Sequence, residues 1–312
     1  MLLGSAFTPV SPQALAISNM FVAILLIMAA ILALVTGLLL YIVVRYRARP
    51  GASEPLQNLG NTRLEVTWTV APILLLIVVF FFTVGAMRAA DPGGDQRHPD
   101  LVVIGHQWWW EVRYPATGVV TANEIHLPVG RRLFVRLDSG DVIHNLWFPE
   151  LGPKMDLVPG QTNYISLQAD RAGVYQGACA EFCGVEHAWM RLRAIAQPPD
   201  QFAAWQRDQL QRAAAPPAGG QAARGAALFA QLTCISCHAI SGVGGPTEGI
   251  APNLTHVGSR QTLAAGLLAN TAASMAIWLR DPQAAKPGNH MPNLQLSGAQ
   301  VGALTAYLEG LR

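Results

Sequence analysis

Twelve consecutive residues of the chain concentrate side chains that bind soft metal ions. Cys179, Cys183, His187 and Met190 lie in this stretch, and His144 stands upstream in an apolar segment. Thiolate, thioether and imidazole groups together suit copper, whereas zinc makes little use of a methionine. One cysteine would suit a mononuclear copper site, and a second cysteine allows two thiolates to bridge two copper ions. The spacing favours dinuclear copper over a Cys179–Cys183 disulfide or a zinc site, the two alternatives.

A second cysteine pair lies in Cys234-Ile-Ser-Cys237-His238, the attachment pattern of a c-type haem. The two thioether bonds would hold the porphyrin, and His238 would ligate the iron. A thioredoxin-like redox motif is the alternative, but no βαβ pattern surrounds these residues. Met291, in a loop before the last helix, is predicted to be the sixth ligand, because Met/His ligation raises the reduction potential. Its competitors are His290, His256 and Met275.

The composition points to a protein with a membrane part and excludes several other classes. Hydrophobic residues make up 51% of the 312 residues and charged residues only 13%, which argues against a purely soluble or disordered chain. The net charge is +2, and the only lysines are Lys154 and Lys286, so no basic block exists to bind nucleic acid. Four cysteines are too few for a disulfide scaffold.

Two uncharged segments, Leu15–Val44 and Val66–Met87, are long enough to span a bilayer and predict a transmembrane hairpin. A cleaved signal peptide is the alternative for the first segment, but its apolar part would be shorter. The connecting loop carries four arginines, so the positive-inside rule places it in the cytoplasm. Both termini, and the copper and haem sequences after Met87, are then expected outside the cytoplasm.

The rest of the chain divides into three parts. Residues 91–197 contain short alternating apolar runs broken by Pro and Gly, which predicts a β-sandwich or barrel. Residues 198–221 are predicted to be a linker that contains a short helix between proline breaks. Residues 222–312 are predicted to be helical, and Ser297 with Gln300 forms a capping-box pattern ahead of the final helix.

Apart from its first dozen residues and the linker 91–100, the chain up to residue 197 resembles cytochrome c oxidase subunit II, with a membrane hairpin and a cupredoxin-like dinuclear copper (CuA) domain. The resemblance is carried by Glu65-Val-Thr-Trp68-Thr-Val-Ala-Pro72, Gly105-His-Gln-Trp-Trp-Trp110, Asp141-Val-Ile-His144, Leu151-Gly-Pro-Lys-Met-Asp156, Pro159-Gly160 and the loop from Cys179 to Met190.

The resemblance implies a role for particular residues. The implied copper ligands are the side chains of His144, Cys179, Cys183, His187 and Met190, together with the backbone carbonyl of Glu181. The carboxylate of Glu181 would face a magnesium site shared with subunit I. Trp108 matches the tryptophan through which electrons reach the copper in that family. Glu65 matches a carboxylate at the cytoplasmic mouth of a proton path in the partner subunit.

The C-terminal part resembles a small class I cytochrome c, an all-α fold. The match rests on the haem attachment pattern, Ala251-Pro-Asn-Leu254, Met291-Pro292 and the final helix. Pro252 matches a proline whose carbonyl orients the iron-ligating histidine. The Gly-rich insertion Ser241–Gly249 departs from the family pattern. A CuA domain followed by a cytochrome c resembles subunit II of the caa-type oxidases.

These resemblances imply an electron relay in the bacterial inner membrane. The haem would accept electrons, and the copper would pass them to subunit I, where dioxygen is reduced and protons are translocated. The expected partners are subunits I and III, membrane lipid, and a cytochrome c or a quinol–cytochrome c reductase as donor. The alternatives are the CuA-bearing subunit of a nitric oxide reductase and a membrane-tethered copper carrier or assembly protein. A copper carrier would have no need of a haem.

Overall fold

The computed structural model describes residues 5–51, 54, 57, 60–91, 93–95, 97–246 and 249–312. The described residues form two compact units, of which one is Leu15–Ala90. The other combines the residues through Ala14 with Asp91–Arg312. Residues 247 and 248 of the Gly-rich insertion lie outside the described part of the chain.

The first unit consists of two long apolar helices, as predicted. Helix α1 spans Pro12–Arg45 and helix α2 spans Thr62–Ala90, with mean hydropathies of 2.9 and 2.7 over their most apolar windows. At about 1.5 Å per residue, both exceed the ~30 Å hydrocarbon core of a bilayer. The side chain of Asn61 accepts hydrogen bonds from the N–H groups of Arg63 and Leu64, which caps α2.

The second unit contains a β-sandwich, which confirms the predicted fold of the middle of the chain. One sheet has the order β3-β2-β1-β5-β8, and its strands are β1 Leu101–His106, β2 Trp109–Tyr114, β3 Val119–Ala122, β5 Leu133–Ser139 and β8 Asn163–Leu167. The other has the order β4-β10-β9-β6-β7, with strands β4 Glu124–Pro128, β6 His144–Trp147, β7 Met155–Leu157, β9 Gly173–Cys179 and β10 Arg191–Gln197.

Most strand pairs in the sandwich are antiparallel, but β1 with β5 and β4 with β10 pair in parallel. Alternating apolar residues from both sheets fill the space between them, and Trp110, Leu137, Leu146 and Leu192 are among the fully buried ones. This packed core is a rigid support for the loops at its edge, and one of these loops carries most of the predicted copper ligands.

Helix α3, Pro199–Gln209, occupies the segment predicted to be a linker with a short helix. Its Phe202 and Trp205 pack against the sandwich core, and the ring of Trp205 stacks on that of His126 at a centroid distance of 3.9 Å. The helix is therefore fixed to the sandwich, a contact that the spacing of its residues did not predict.

The C-terminal part of the second unit is mostly helical, as predicted. Its elements are α4 Gly220–Gln231, α5 Ala272–Arg280, α6 Pro282–Ala285, α7 Gly298–Glu309 and a small hairpin of β11 Thr262–Leu263 and β12 Leu268–Ala269. Helices α4 and α7 pack closely and share a core that includes Phe229, Met275, Leu304 and Leu308. The predicted capping box of Ser297 and Gln300 is present at the start of α7.

Candidate metal centres

The predicted copper ligands converge at one end of the sandwich. His144 opens β6 and Cys179 closes β9, and the two strands are paired next to these residues, with Leu146 opposite Cys179. The backbone N–H of Cys179 donates to the carbonyl of Met190 at 3.0 Å, which closes the intervening loop. Strand pairing therefore brings His144 to a loop that lies 35 residues further along the chain.

The donor atoms of this cluster lie at distances that suit shared metal ions. Cys179 Sγ is 4.0 Å from His144 Nδ1 and 3.1 Å from the carbonyl oxygen of Glu181. Cys183 Sγ is 3.6 Å from His187 Nδ1 and 3.7 Å from Met190 Sδ. Ligand atoms of His144, Cys179 and Cys183 all lie within 4.8 Å of one another. The structure thus brings together all six predicted copper-ligating residues.

All four cysteines belong to the described residues, and all are free thiols. The hydrogen bond from Cys183 holds the pKa of Cys179 well below its ordinary value, and the same bond raises the pKa of Cys183. Cys183 is therefore the thiol that holds its proton more firmly. Copper binding requires two thiolates, so it would release this proton.

Asp141 fixes the orientation of the His144 imidazole. Its Oδ1 accepts a hydrogen bond from His144 Nε2 at 2.7 Å, which leaves Nδ1 directed at the thiols. Burial alone would raise the pKa of Asp141, but hydrogen bonds from His144 and from the N–H groups of Gln107 and Val142 lower it. Such outer partners set the tautomer of a metal-binding histidine. This role of Asp141 was not predicted from the sequence, although the residue lies three positions before His144.

Trp108 lies beside the copper ligands. Its Nε1 donates to the carbonyl of Cys183 at 2.9 Å, and the amide of Gln107 donates to the same oxygen at 2.8 Å. Gly184 has φ +115, and a Cβ there would meet the Trp108 ring at 3.0 Å, so glycine permits this approach. Trp108 is therefore hydrogen-bonded to the backbone of a predicted copper ligand.

The haem attachment residues lie on a 3₁₀ turn, Cys234–Ser236, with Cys237 and His238 following it. His238 Nδ1 donates to the carbonyl of Pro252 at 2.8 Å, which leaves Nε2 for an iron atom. Burial lowers the pKa of His238, which favours the neutral, ligating imidazole. The contact with Pro252 is the one that the cytochrome c resemblance implied.

The candidates for the sixth haem ligand have different surroundings. Met275 is buried in the helical core, and His256 Nε2 donates to the carbonyl of Gln211 at 3.1 Å. His290 packs against Trp108, with ring centroids 4.9 Å apart. Met291 is partly buried against the helical core, and its N–H donates to the side chain of Asn289 at 2.8 Å. Met291 therefore occupies an ordered loop at the edge of the core.

The two remaining predicted residues have exposed side chains. The backbone carbonyl of Glu181 lies 3.1 Å from Cys179 Sγ, and its side chain is exposed. Glu65 lies in the first turn of α2, where Oε1 accepts a hydrogen bond from the N–H of Asn61 at 3.2 Å. That bond gives Glu65 a part in starting the helix.

Three protein families match the parts of the chain that carry these features. They are the cytochrome c oxidase subunit II transmembrane domain at residues 6–85, the cytochrome c oxidase subunit II periplasmic domain at 117–196, and cytochrome c at 222–312. The cytochrome c oxidase subunit 2 of Alkalihalophilus pseudofirmus is 37% identical over 99% of this chain and 91% of its own length. The chain belongs to the cytochrome c oxidase subunit II family.

A second relative agrees with this assignment, and one solved structure is similar to part of the chain. The cytochrome c oxidase subunit 2 of Bacillus sp. strain PS3 is 35% identical over 86% of this chain and 80% of its own length. A crystal structure of the periplasmic domain of cytochrome oxidase subunit II from Bradyrhizobium japonicum is 28% identical, covering 36% of this chain and 92% of that one, with a TM-score of 0.35.

This cytochrome c oxidase subunit II is anchored in the membrane by α1 and α2, and its CuA domain is periplasmic. A cytochrome c domain is fused behind the CuA domain, so the two domains imply copper and haem c as cofactors. The chain is a subunit of a haem–copper oxidase complex and transfers electrons to subunit I. Membership of this family argues against the two alternative functions, a copper carrier and a nitric oxide reductase subunit.

Replacing Met190 with leucine should alter the copper centre without removing it. The Met190 side chain is fully buried, and leucine has a similar volume, so the loop should keep its fold. The two thiols and two imidazoles would still hold both ions, but the sulfur 3.7 Å from Cys183 Sγ is lost. We expect an unchanged copper content with a shifted visible spectrum and reduction potential. A variant that loses copper would show that Met190 is a principal ligand.

Proposed function

We propose that this subunit takes electrons singly from an external donor at a haem bound to Cys234 and Cys237. It then passes them to a dinuclear copper centre and on to subunit I, where dioxygen is reduced with proton translocation. The observation that carries the proposal is the convergence of two free thiols, two imidazoles, a thioether and a carbonyl on one point. When bound, the haem and the copper pair each accept and donate one electron.

The donor set of the copper cluster fits two copper ions. Thiolate and thioether sulfur with imidazole nitrogen are soft ligands, and two thiolates within 4.8 Å of each other can bridge two ions. The ions would be held by His144, Cys179, Glu181 through its carbonyl, Cys183, His187 and Met190. The cluster is largely buried, so the surrounding residues keep water away from the ligands and limit side reactions of the thiols.

The residues around Cys234 fit a covalent haem. The two thiols are free, and His238 is oriented by the carbonyl of Pro252, which leaves one ring nitrogen for iron. Met291 is proposed as the sixth ligand, because His/Met ligation gives a high potential that suits a terminal respiratory chain. These residues bind and orient the group, and no proton has to move with the electron.

The finer features of the complex are part of the same proposal. We place the protein in the bacterial inner membrane, with the copper and haem domains on its periplasmic side and subunits I and III as neighbours. The donor would be a cytochrome c or a quinol–cytochrome c reductase. The exposed carboxylate of Glu181 would contribute one oxygen ligand to magnesium at the boundary with subunit I. Trp108 would carry electrons toward the copper, and Glu65 would stand at the mouth of a proton path.

The ratio of copper to haem tests the proposal. We expect the full-length chain, purified in detergent without its partner subunits, to contain two copper ions for each covalently attached haem. A ratio of one would contradict the dinuclear centre. Purification of the complex from native membranes gives the second measurement, since co-purifying subunit I and consumption of dioxygen are expected. Consumption of nitric oxide in place of dioxygen would contradict the terminal step.

Replacing Met291 with alanine should change the spin state of the haem. Without the thioether, the iron would lose its sixth protein ligand and become high-spin, or a neighbouring histidine would replace the sulfur. The haem itself should stay attached, because Cys234 and Cys237 are unchanged. Visible absorption of the ferric protein measures the result. Met275→Leu is the matched control, since that thioether is buried in the helical core. An unchanged spectrum in Met291→Ala would remove this residue as a ligand.

A further inference from the structure

The loop that carries Met291 lies against the copper domain. Lys286 begins this loop, its side chain is 3% exposed, and its Nζ donates a hydrogen bond to the carbonyl of Trp108 at 3.1 Å. The carboxylate of Glu186 is 3.8 Å from the same ammonium. Burial of a lysine requires a partner, and both partners of Lys286 belong to the copper domain. Lys286 therefore crosses the boundary between the two soluble domains.

The same loop connects the two proposed redox centres. His290 precedes Met291 and packs its ring on Trp108, at a centroid distance of 4.9 Å. Trp108 in turn donates its indole hydrogen bond to the carbonyl of Cys183. His290, the neighbour of the proposed haem ligand, therefore contacts Trp108. Trp108 is in turn hydrogen-bonded to the proposed copper ligand Cys183.

A second contact fixes the domains at a separate place. The buried carboxylate of Glu124, in β4, accepts hydrogen bonds from the backbone N–H groups of Gln261 and Thr262 at 2.6 and 3.2 Å. In this contact the copper domain supplies the charge and the haem domain the backbone, whereas in the bond from Lys286 to Trp108 the haem domain supplies the charge and the copper domain the backbone. The two domains are therefore in contact at two separate points.

The Lys286 contact is better suited to setting position than to adding affinity. The ammonium of Lys286 and the carboxylate of Glu186 are both almost fully buried, so each charge is held at a desolvation cost. Buried ion pairs of this kind often add little net stability compared with apolar side chains. Such a pair nevertheless requires precise geometry, because a buried donor or acceptor without a hydrogen-bond partner lowers the free energy of unfolding.

We propose that Lys286 is a positioning residue whose bond to the Trp108 carbonyl sets the register in which His290 packs on the Trp108 ring. The inference rests on the proposed function of the two centres. The transfer that this contact serves moves one electron and no proton from the haem domain to the copper domain. The haem is oxidised by one electron, the copper pair is reduced by one, and no bond forms or breaks. A docked haem domain also covers Trp108, so external donors must deliver electrons to the haem.

Lysine labelling of the intact complex tests the docking without any measurement of activity. This chain has only two lysines, and Lys154 is exposed whereas Lys286 is buried. With a limiting amine-acylating reagent and peptide mass spectrometry, Lys286 should react at least about tenfold more slowly than Lys154. Equal reactivity of the two lysines in the wild-type complex would overturn the proposal.

Variants test the positioning role. After photochemical reduction of the haem, electron transfer to copper should be about 10- to 100-fold slower in Lys286→Met than in wild type, because small displacements of a reacting pair have large effects. Lys154→Met is the matched control and should leave the rate unchanged. His290→Ala should slow transfer similarly, and His290→Phe should restore it by keeping a ring against Trp108.

The spectra of the variants separate the two levels of inference. If the wild-type protein shows no copper signal or no haem signal, the proposed function itself is contradicted. Intact signals with wild-type rates in both Lys286→Met and His290→Ala would overturn the positioning role alone. The labelling ratio is read on the wild-type protein, so it decides the docked arrangement even where a variant fails to fold.

Discussion

Replacing Cys183 with serine should abolish the dinuclear copper centre. Its Sγ lies close to His187 Nδ1 and Met190 Sδ, and it is one of the two thiols that would bridge the ions. A serine hydroxyl is a harder ligand and is not deprotonated by copper as readily as a thiol. The copper content should fall from two ions per haem to one or none. Electron transfer to subunit I should fall by more than about 100-fold. This exceeds the typical effect of removing a residue that only hydrogen-bonds to a metal ligand.

The haem content is the internal control for this variant. Cys234 and Cys237 lie in another part of the fold and are unchanged, so the covalent haem spectrum should match that of wild type. Metal analysis and electron paramagnetic resonance of the full-length protein give the copper result. Two ions per haem in Cys183→Ser would show that Cys179 alone can support the pair. Such a result would remove the bridging role of the second thiol.

The cluster of candidate copper ligands could be predicted from the sequence because most of its residues are local. Five of the six lie between Cys179 and Met190, and the turn Gly184–His187 folds them over one another. His144 is 35 residues away from Cys179. Pairing of β6 with β9 brings these two residues together, and the sequence indicated His144 only through its residue type and the family motif.

The partners of these ligands were harder to predict. Asp141 orients His144 through one hydrogen bond, and nothing in its residue type separates it from a solvated aspartate. Periodic patterns report which face of an element is buried, but they do not report which side chain meets which across a domain boundary. Lys286 and Trp108 are 178 residues apart, and their contact depends on how two complete domains dock. The residues that bind a cofactor are thus more visible in sequence than the residues that position its domain.

Helix α3 shows the same limit on a smaller scale. Its proline boundaries and its helical character follow from the sequence, because proline favours the first turn of a helix. Trp205 stacks on His126, a residue of β4 that lies about 80 positions earlier in the chain, and local periodicity cannot predict such a contact. The segment was therefore predicted to be a helical linker, whereas its packing on the sandwich became visible only in the folded chain.

Replacing Gly225 with alanine should destabilise the haem domain. Gly225 lies inside α4 at its crossing with α7, where a Cβ would clash with the carbonyl oxygen of Ala303 and come within 2.7 Å of the Cβ of Tyr307. The first of these atoms is backbone, so no side-chain rotation relieves the clash and the helices must separate. Alanine would otherwise favour the helix by about 1 kcal/mol. We expect a net loss of about 3 kcal/mol or more, at the upper end of the effects of overpacking.

Gly302 supplies the matched control for this substitution. It lies in α7 beside the same crossing, but its side is exposed and a Cβ there meets nothing within 4 Å. Gly302→Ala should therefore stabilise the domain by about 0.5–1 kcal/mol through helix propensity alone. Denaturant unfolding of the full-length protein, followed by the haem absorption that depends on iron ligation, measures both variants. Equal stabilities for the two alanine variants would contradict a close backbone crossing at Gly225, and with it the packing of α4 on α7 that holds the haem domain together.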